Sequence, residues 1–170
     1  MRKPIVGIVG LGDETGDKEI DFAEELGRRI AQAGWITLSG GRNVGVMDAA
    51  NRGAGAGGGL TVGILPTTEK EKTSRYVDIA IVTDMGSARN NINALTSDVV
   101  IACGMGAGTA SEISLALKAH KNVILLGAPE SARKFFGELG GKLVSFTDTP
   151  EEEIFLAGTA IEGLSVKNQF

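Results

Sequence analysis

Short, almost wholly apolar runs alternate along the chain with stretches of helical periodicity, and this alternation constrains the fold more than any other feature. Runs such as PIVGIVG and DVVIA have no polar face, which is typical of strands buried on both sides of a parallel sheet. Between the runs, apolar residues recur at helical spacing. The predicted strands are 4–10, 35–39, 60–66, 77–84, 98–102, 122–127 and 142–146. The predicted helices are 17–33, a short one within 40–54, 87–97, 109–119 and 149–161.

Buried strands separated by helices imply right-handed crossovers and a sheet that is covered on both faces. The sequence therefore predicts an α/β fold, a doubly wound, mostly parallel sheet in a Rossmann-like three-layer sandwich. The 170 residues are one domain's length, and no linker interrupts them. We expect a single domain over 1–170, with the tail 164–170 frayed or used in a subunit contact.

Composition excludes several classes of function. The net charge of −4 and the lack of a dense Lys/Arg stretch argue against a nucleic-acid surface. The single cysteine, Cys103, cannot form an internal disulfide. No signal peptide and no run of about 20 apolar residues is visible, so we expect a cytoplasmic protein with no membrane partner.

Four loops that follow predicted strands are rich in glycine or small polar residues: 10–16, 39–45, 84–91 and 103–112. In a doubly wound sheet these loops share the carboxyl edge, where ligands bind. Glycine allows main-chain N–H groups to approach an anion closely, and helix N-termini behind the loops add partial positive charge. Phosphate is therefore the ligand group that these loops predict.

Each loop also has a purely structural interpretation. A glycine-rich turn is often needed only to join a strand to a helix. Thr109 and Glu112 have the spacing of a capping box, and Asn43 has the character of a simple helix cap. Arg89 is harder to explain in this way, because in the first turn of a helix capped by Ser87 the dipole disfavours a cation. A bound anion would reverse that effect; a solvent-exposed or subunit-bridging arginine is the alternative.

Other site types find little support in the sequence. The loop at 10–16 departs from the dinucleotide fingerprint, and the second strand ends without the acidic residue that holds a ribose. The phosphate-binding P-loop with its lysine is absent from the sequence. No Cys/His cluster predicts a metal ligated by the protein. His120 is expected to be a helix C-terminal cap, and Cys103 a packed strand residue.

The motifs SGGRNVGVMDAA, MGSARN and GMGAGTASE, in this order, resemble those of the Lonely Guy proteins over about residues 4–147. Those proteins are phosphoribohydrolases that release a cytokinin base from its ribose 5′-monophosphate. The resemblance implies a Rossmann-like fold, catalytic roles for Arg89 and Glu112, and phosphate binding by Gly106, Gly108 and Thr109.

The sequence departs from the Lonely Guy motifs at several positions. Gly104 stands where the motif has Pro, Met105 where it has Gly, and Asn90 where it has Lys. Ser39 takes the place of the first glycine of a triplet. The stretch from Ala88 to Lys118 is instead similar to the molybdenum cofactor carrier branch of the same superfamily.

That similarity implies a non-enzymatic protein that binds the molybdenum cofactor, a phosphorylated pterin carrying molybdenum, and protects it for transfer to apo-molybdoenzymes. It also implies a homo-oligomer, a dimer or tetramer. The phosphoribohydrolase is the alternative, and both ligands join a phosphate to a flat heterocycle. The residues expected to bind the ligand are Gly10, Gly12, Asp13, Gly40, Gly41, Asn43, Gly45, Met85, Arg89, Asn90, Gly104, Gly106, Gly108, Thr109 and Glu112.

Overall fold

A computed structural model of the protein describes residues 2–13 and 15–167, without the side chains of 164–167. Its strands are β1 (Ile5–Gly10), β2 (Ile36–Ser39), β3 (Thr61–Leu65), β4 (Ile79–Val82), β5 (Val99–Cys103), β6 (Asn122–Leu126) and β7 (Val144–Thr147). Its α-helices are α1 (Asp17–Gln32), α2 (Gly45–Ala56), α3 (Asn90–Thr96), α4 (Ala107–Lys118), α5 (Glu130–Gly140) and α6 (Pro150–Lys167). Short 3₁₀ turns span Gly86–Arg89 and Gly141–Leu143. Helix α6 takes in part of the tail expected to fray, and residues 168–170 lie outside the described residues.

All strand pairs of the sheet are parallel, in the order β4-β3-β2-β1-β5-β6-β7. The predicted doubly wound, Rossmann-like fold is confirmed. The chain winds outward from β1 to β4, then returns to place β5 against the other side of β1. Such a reversal opens a crevice at the carboxyl ends of the two central strands.

Alternate residues of each central strand supply the two hydrophobic cores. One core packs α1, α2 and α6 against inward-facing residues such as Val6, Ile8 and Ile101. The other packs α3, α4 and α5 against residues such as Val9 and Val100. This period-two alternation of wholly buried residues explains why the strands read as continuous apolar runs.

Helices α1 and α2 approach each other closely because glycines lie at their crossing. A Cβ at Gly27 would collide with the carbonyl of Ala50, and one at Gly53 with the carbonyl of Glu24. The salt bridge from Arg52 to Glu24, at 2.7 Å, borders the same contact. This close packing sets the start of α2 beside the loop that follows β1.

The structure differs from the predicted elements in one additional helix and in the bounds of several others. No helix was expected between β6 and β7, where α5 lies. It buries Ala132 and Phe136 and leaves Phe135 and Leu139 exposed. The helix expected at 87–97 is a 3₁₀ turn followed by α3. Strand β4 is shorter than predicted, and all four of its residues are exposed rather than buried.

None of the helices in the described part of the chain is both long enough and apolar enough to cross a membrane.

Glu153, in the first turn of α6, is fully buried, and neither carboxyl oxygen has a hydrogen-bond partner among the described residues. Burial raises the pKa of Glu153 well above its ordinary value. Its charge would also face the buried thiol of Cys103, whose pKa is raised chiefly by burial. Glu153 is therefore most stable in this position as the neutral acid.

Replacing this carboxyl group should stabilise the protein, and more so at higher pH. The pKa of Glu153 is higher in the folded state than its unfolded value of about 4.3. The free energy of unfolding is therefore highest, as far as Glu153 is concerned, below about pH 4.3, and it falls as the pH rises. We expect Glu153→Met to raise the free energy of unfolding by about 1–3 kcal/mol at pH 8, with a smaller gain at pH 5. Urea denaturation at both pH values measures this. Glu162→Met, an exposed position of the same helix, is the control, and an equal gain at both pH values would contradict the assignment.

Candidate functional site

A cavity of about 480 Å³ opens at the carboxyl edge of the sheet, where β1 and β5 diverge. All four loops singled out in the sequence contribute to its lining. Residues 10–13 lie at the end of β1 and in the loop after it, and residues 106–109 lie at the start of α4. The loop after β2 contributes Gly40 and Arg42, and the turn after β4 contributes Gly86, Ser87 and Arg89. The order of the strands therefore brings together loops that are distant in the sequence.

Most of the predicted ligand-binding residues line this cavity. They are Gly10, Gly12, Asp13, Gly40, Arg89, Asn90, Gly106, Gly108, Thr109 and Glu112. Gly41, Asn43, Gly45, Met85 and Gly104 lie outside the lining.

The glycines outside the lining shape the surrounding turns. Gly41, Gly45 and Gly104 all have positive φ angles, +72°, +51° and +75°. Gly45 packs against the carbonyls of the loop after β1, where a side chain would collide. Asn43 borders a separate depression with Arg52 and others, and it makes no side-chain cap at the start of α2. At the three glycines the structural interpretation of the motif accounts for the residue, whereas the helix cap expected at Asn43 is not formed.

Arg42 and several apolar residues of the lining were missed in the sequence. Arg42 lies within the second glycine-rich loop, and its position after β2 was the available signal. Its guanidinium is 3.9 Å from the Asp13 carboxylate, a loose contact between partly exposed side chains. Ile8, Val9, Met47 and Pro66 supply an apolar part of the wall; of these, Met47 lies in the quoted motif SGGRNVGVMDAA, and no motif indicated the other three.

Arg89 is the most unusual side chain of the cavity. Its side chain is 11% exposed, and its Nε and Nη1 are buried without a hydrogen-bond partner among the described residues. Nη1 lies 3.7 Å from Glu112 Oε1, too far for a hydrogen bond. Burial lowers the pKa of Arg89, the charge of Glu112 opposes that effect, and the nearby charge of Arg42 adds to it. Two guanidinium groups thus face one cavity, and the carboxylates near them balance their positive charge only in part.

Gly40 makes room for the Arg89 guanidinium. A Cβ at Gly40 would lie 2.5 Å and 2.6 Å from the two terminal nitrogens of Arg89, and 2.6 Å from Met47 Sδ. The glycine is therefore needed for close approach of a side chain to the backbone. This role differs from that of a flexible turn.

Glu112 points into the interface between α3 and α4, and does not cap its own helix. Helix α4 begins at Ala107 with Gly106 at the cap position and no side-chain cap, so the expected capping box is absent. Asn93 Nδ2 donates a 2.7 Å hydrogen bond to Glu112 Oε1. Burial raises the pKa of Glu112, while that hydrogen bond and the charge of Arg89 act in the opposite direction.

The start of α4 is the helix N-terminus available to a ligand. Ala107 and Gly108 are exposed there and line the cavity. At the start of α2, by contrast, the Val46 N–H already donates to the carbonyl of Leu11, at 3.0 Å. Free N–H groups at a helix N-terminus bind phosphate and similar anions. Together with the unpartnered Arg89 atoms, they equip the cavity for an anionic ligand with an adjoining apolar group.

Residues 3–155 match the model of the SLOG cluster4 family. The molybdenum cofactor binding protein of the phototrophic bacterium Rippkaea orientalis is 49% identical, with a TM-score of 0.92 over 95% of this chain and 99% of that one. The molybdenum cofactor carrier protein of Chlamydomonas reinhardtii is 48% identical, with a TM-score of 0.91 and the same coverage.

A third relative is an enzyme. The cytokinin riboside 5′-monophosphate phosphoribohydrolase of Mycobacterium tuberculosis is 36% identical over 110 residues, which are 64% of this chain and 59% of the enzyme.

Gly40→Ala should weaken anion binding without unfolding the protein. The new Cβ would displace the flexible end of Arg89 and leave the backbone in place. Because charge-assisted hydrogen bonds contribute about 1.5–3 kcal/mol, we expect inorganic phosphate to bind about 10-fold more weakly or worse. Isothermal titration calorimetry measures this. Gly55→Ala is the control, since no atom lies within 4 Å of its added Cβ; equal phosphate affinity in the two variants would contradict the role given to Gly40.

Proposed function

The chain belongs to the SLOG cluster4 family, and on that basis we propose that it binds the molybdenum cofactor and protects it until transfer to an apo-molybdoenzyme. The cofactor is cargo in this proposal, and the protein performs no chemistry on it. The two relatives named for molybdenum cofactor binding support the proposal, because each aligns with 95% of this chain.

The observation that carries the proposal is the pair of unpartnered nitrogens of Arg89. A buried donor without a partner costs about 1–3 kcal/mol, and more when it is charged. A bound oxyanion would accept from these nitrogens and remove that cost. The start of α4 offers further N–H donors to the terminal phosphate of the ligand.

The rest of the cavity suits the uncharged part of such a ligand. The apolar residues Val9, Met47 and Pro66 line it beside the charged groups, and a flat heterocycle would cover them from water. Enclosing the ligand against this wall would limit its contact with solvent. The combination of an anion cradle and an apolar wall fits a phosphorylated pterin.

We further propose that the protein is a homo-oligomer, with strand β4 in the subunit interface. β4 is an edge strand, and Ile79 and Ile81 are 47% and 44% exposed on it. Exposed apolar edge strands are liable to pair with other chains unless they are covered. Met85, three residues after β4, is 48% exposed as well.

Arg89→Ala should abolish stable retention of the cofactor. Loss of the charge-assisted hydrogen bonds is expected to weaken binding about 10- to 100-fold. After anaerobic mixing with released molybdenum cofactor, gel filtration followed by pterin and molybdenum assays of the protein peak measures retention. Arg75→Ala is the matched control, because Arg75 stacks on Tyr76 and borders the separate depression. Wild-type protein that carries neither pterin nor molybdenum would refute the proposed function.

The alternative function is hydrolysis of a nucleoside 5′-monophosphate. The proximity of Arg89 and Glu112 in one cavity favours it, as does the similarity to the mycobacterial enzyme. In that reaction water adds to C1′ of the ribose, the N-glycosidic bond breaks, and the base leaves with a proton from the water. Glu112 would accept that proton from water and pass it to the leaving base, and Arg89 would hold charge on the sugar phosphate.

The hydrolase alternative predicts turnover that depends on Glu112. A panel of nucleoside monophosphates, assayed for the free base, tests it in the wild-type protein. We expect no turnover above background if the protein is a carrier. If turnover occurs, Glu112→Ala should reduce it at least about 100-fold, a typical loss for a general base, while phosphate binding survives. Turnover that persists in the variant would remove Glu112 from the mechanism.

A further inference from the structure

A hydrogen-bonded relay joins α3 to the first turn of α4. The side-chain amide Nδ2 of Asn90 donates to Ser111 Oγ at 2.8 Å. Ser111 Oγ in turn donates to the main-chain carbonyl of Gly108, also at 2.8 Å. Gly108 lies in the turn where the N–H groups face the cavity. The relay thus connects a cavity residue on one helix to the anion-binding end of another.

The relay determines which way the Asn90 amide points. A serine hydroxyl has one proton, and the Gly108 carbonyl can only accept it. Ser111 Oγ must therefore accept from Asn90, which turns the amide nitrogen towards Ser111 and the oxygen away from it. Asn90 is 7% exposed and lines the cavity. The hydrogen bond to Ser111 is made by Asn90 Nδ2 and does not use Oδ1.

We propose that Asn90 is a specificity-determining residue of the site, with Ser111 as its positioning residue. Asn90 Oδ1 presents a hydrogen-bond acceptor beside the anion-binding turn. It selects ligands whose uncharged part carries an N–H or O–H donor next to the anionic group. This assignment rests on the proposed function, because a phosphorylated pterin has such ring N–H donors.

Neither charged alternative to asparagine would serve this role. An aspartate would place a negative charge beside the bound anion. A lysine, which the Lonely Guy motif has at this position, is a donor with no acceptor. An amide held by a hydroxyl offers a neutral acceptor of defined orientation. The carrier-like sequence therefore differs from the hydrolase motif at a residue that contacts the cavity.

The experiment compares two ligands in three variants. The molybdenum cofactor carries both the anion and the donors, whereas sulfate carries no proton at neutral pH. Asn90→Leu keeps the branched shape and removes the acceptor. We expect it to bind the cofactor about 3- to 10-fold more weakly, the loss of a neutral hydrogen bond, and to bind sulfate within about 2-fold of wild type.

Ser111→Ala tests the relay at an exposed helix position, where alanine is well tolerated. Without the Ser111 hydroxyl, the Asn90 amide is free to rotate away from the ligand. We therefore expect cofactor binding to weaken by about 2- to 5-fold. Ser114→Ala is the matched control, because Ser114 Oγ makes a similar hydrogen bond to the Ala110 carbonyl of α4, at 2.9 Å, one turn away. It should leave both affinities unchanged.

The outcomes separate this assignment from the proposed function. Equal losses of cofactor and sulfate affinity in Asn90→Leu would mean that Asn90 only shapes the turn, and would overturn its role in specificity. Unchanged cofactor affinity in Asn90→Leu would overturn that role as well. Wild-type protein that binds sulfate but not the cofactor would overturn the proposed function and, with it, this assignment.

Discussion

The parallel pairing of β1 with β5 is the contact on which the rest of the structure depends. The two strands run in register from Val6 and Val99 to Gly10 and Cys103, so they end at the same level. The chain then leaves them in loops that lead to opposite faces of the sheet, α1 on one and α4 on the other. Gly10 permits this close ending, since a Cβ there would collide with the Cys103 carbonyl and with Val46. The cavity follows from this pairing.

Polar atoms without hydrogen-bond partners in the described part of the chain lie in the candidate site and directly behind it. Arg89 keeps unpartnered donors at low exposure, and Asn93 Oδ1 is also buried without a partner among the described residues. Native proteins rarely leave such groups unpaired unless they serve a purpose. The apolar cores on the two faces of the sheet stabilise the fold enough to offset the free energy lost at these unpaired groups. A ligand-binding cavity is the natural location for it.

A carrier and a hydrolase can be built on this same arrangement of loops. In the proposed function and in its alternative, the ligand phosphate would lie at the start of α4 with Arg89 beside it, and strand order and loop chemistry place those elements. We expect the difference to lie in side chains that would contact the uncharged part of the ligand. Asn90 is the departure from the hydrolase motif that both lines the cavity and is oriented by a neighbour. A substitution on α3 would therefore be enough to change which ligand this fold binds.

The sequence by itself determined the order of the strands, the helices other than α5, the doubly wound sheet and the edge at which the glycine-rich loops meet. These features follow from local periodicity and from the geometry of parallel sheets. Only the tertiary structure decided that Glu112 turns towards Asn93, that Arg42 joins the cavity while Asn43 leaves it, and that β4 is exposed. Each of these depends on contacts between segments far apart in the chain. Local pattern carries no information on which face such segments present to each other.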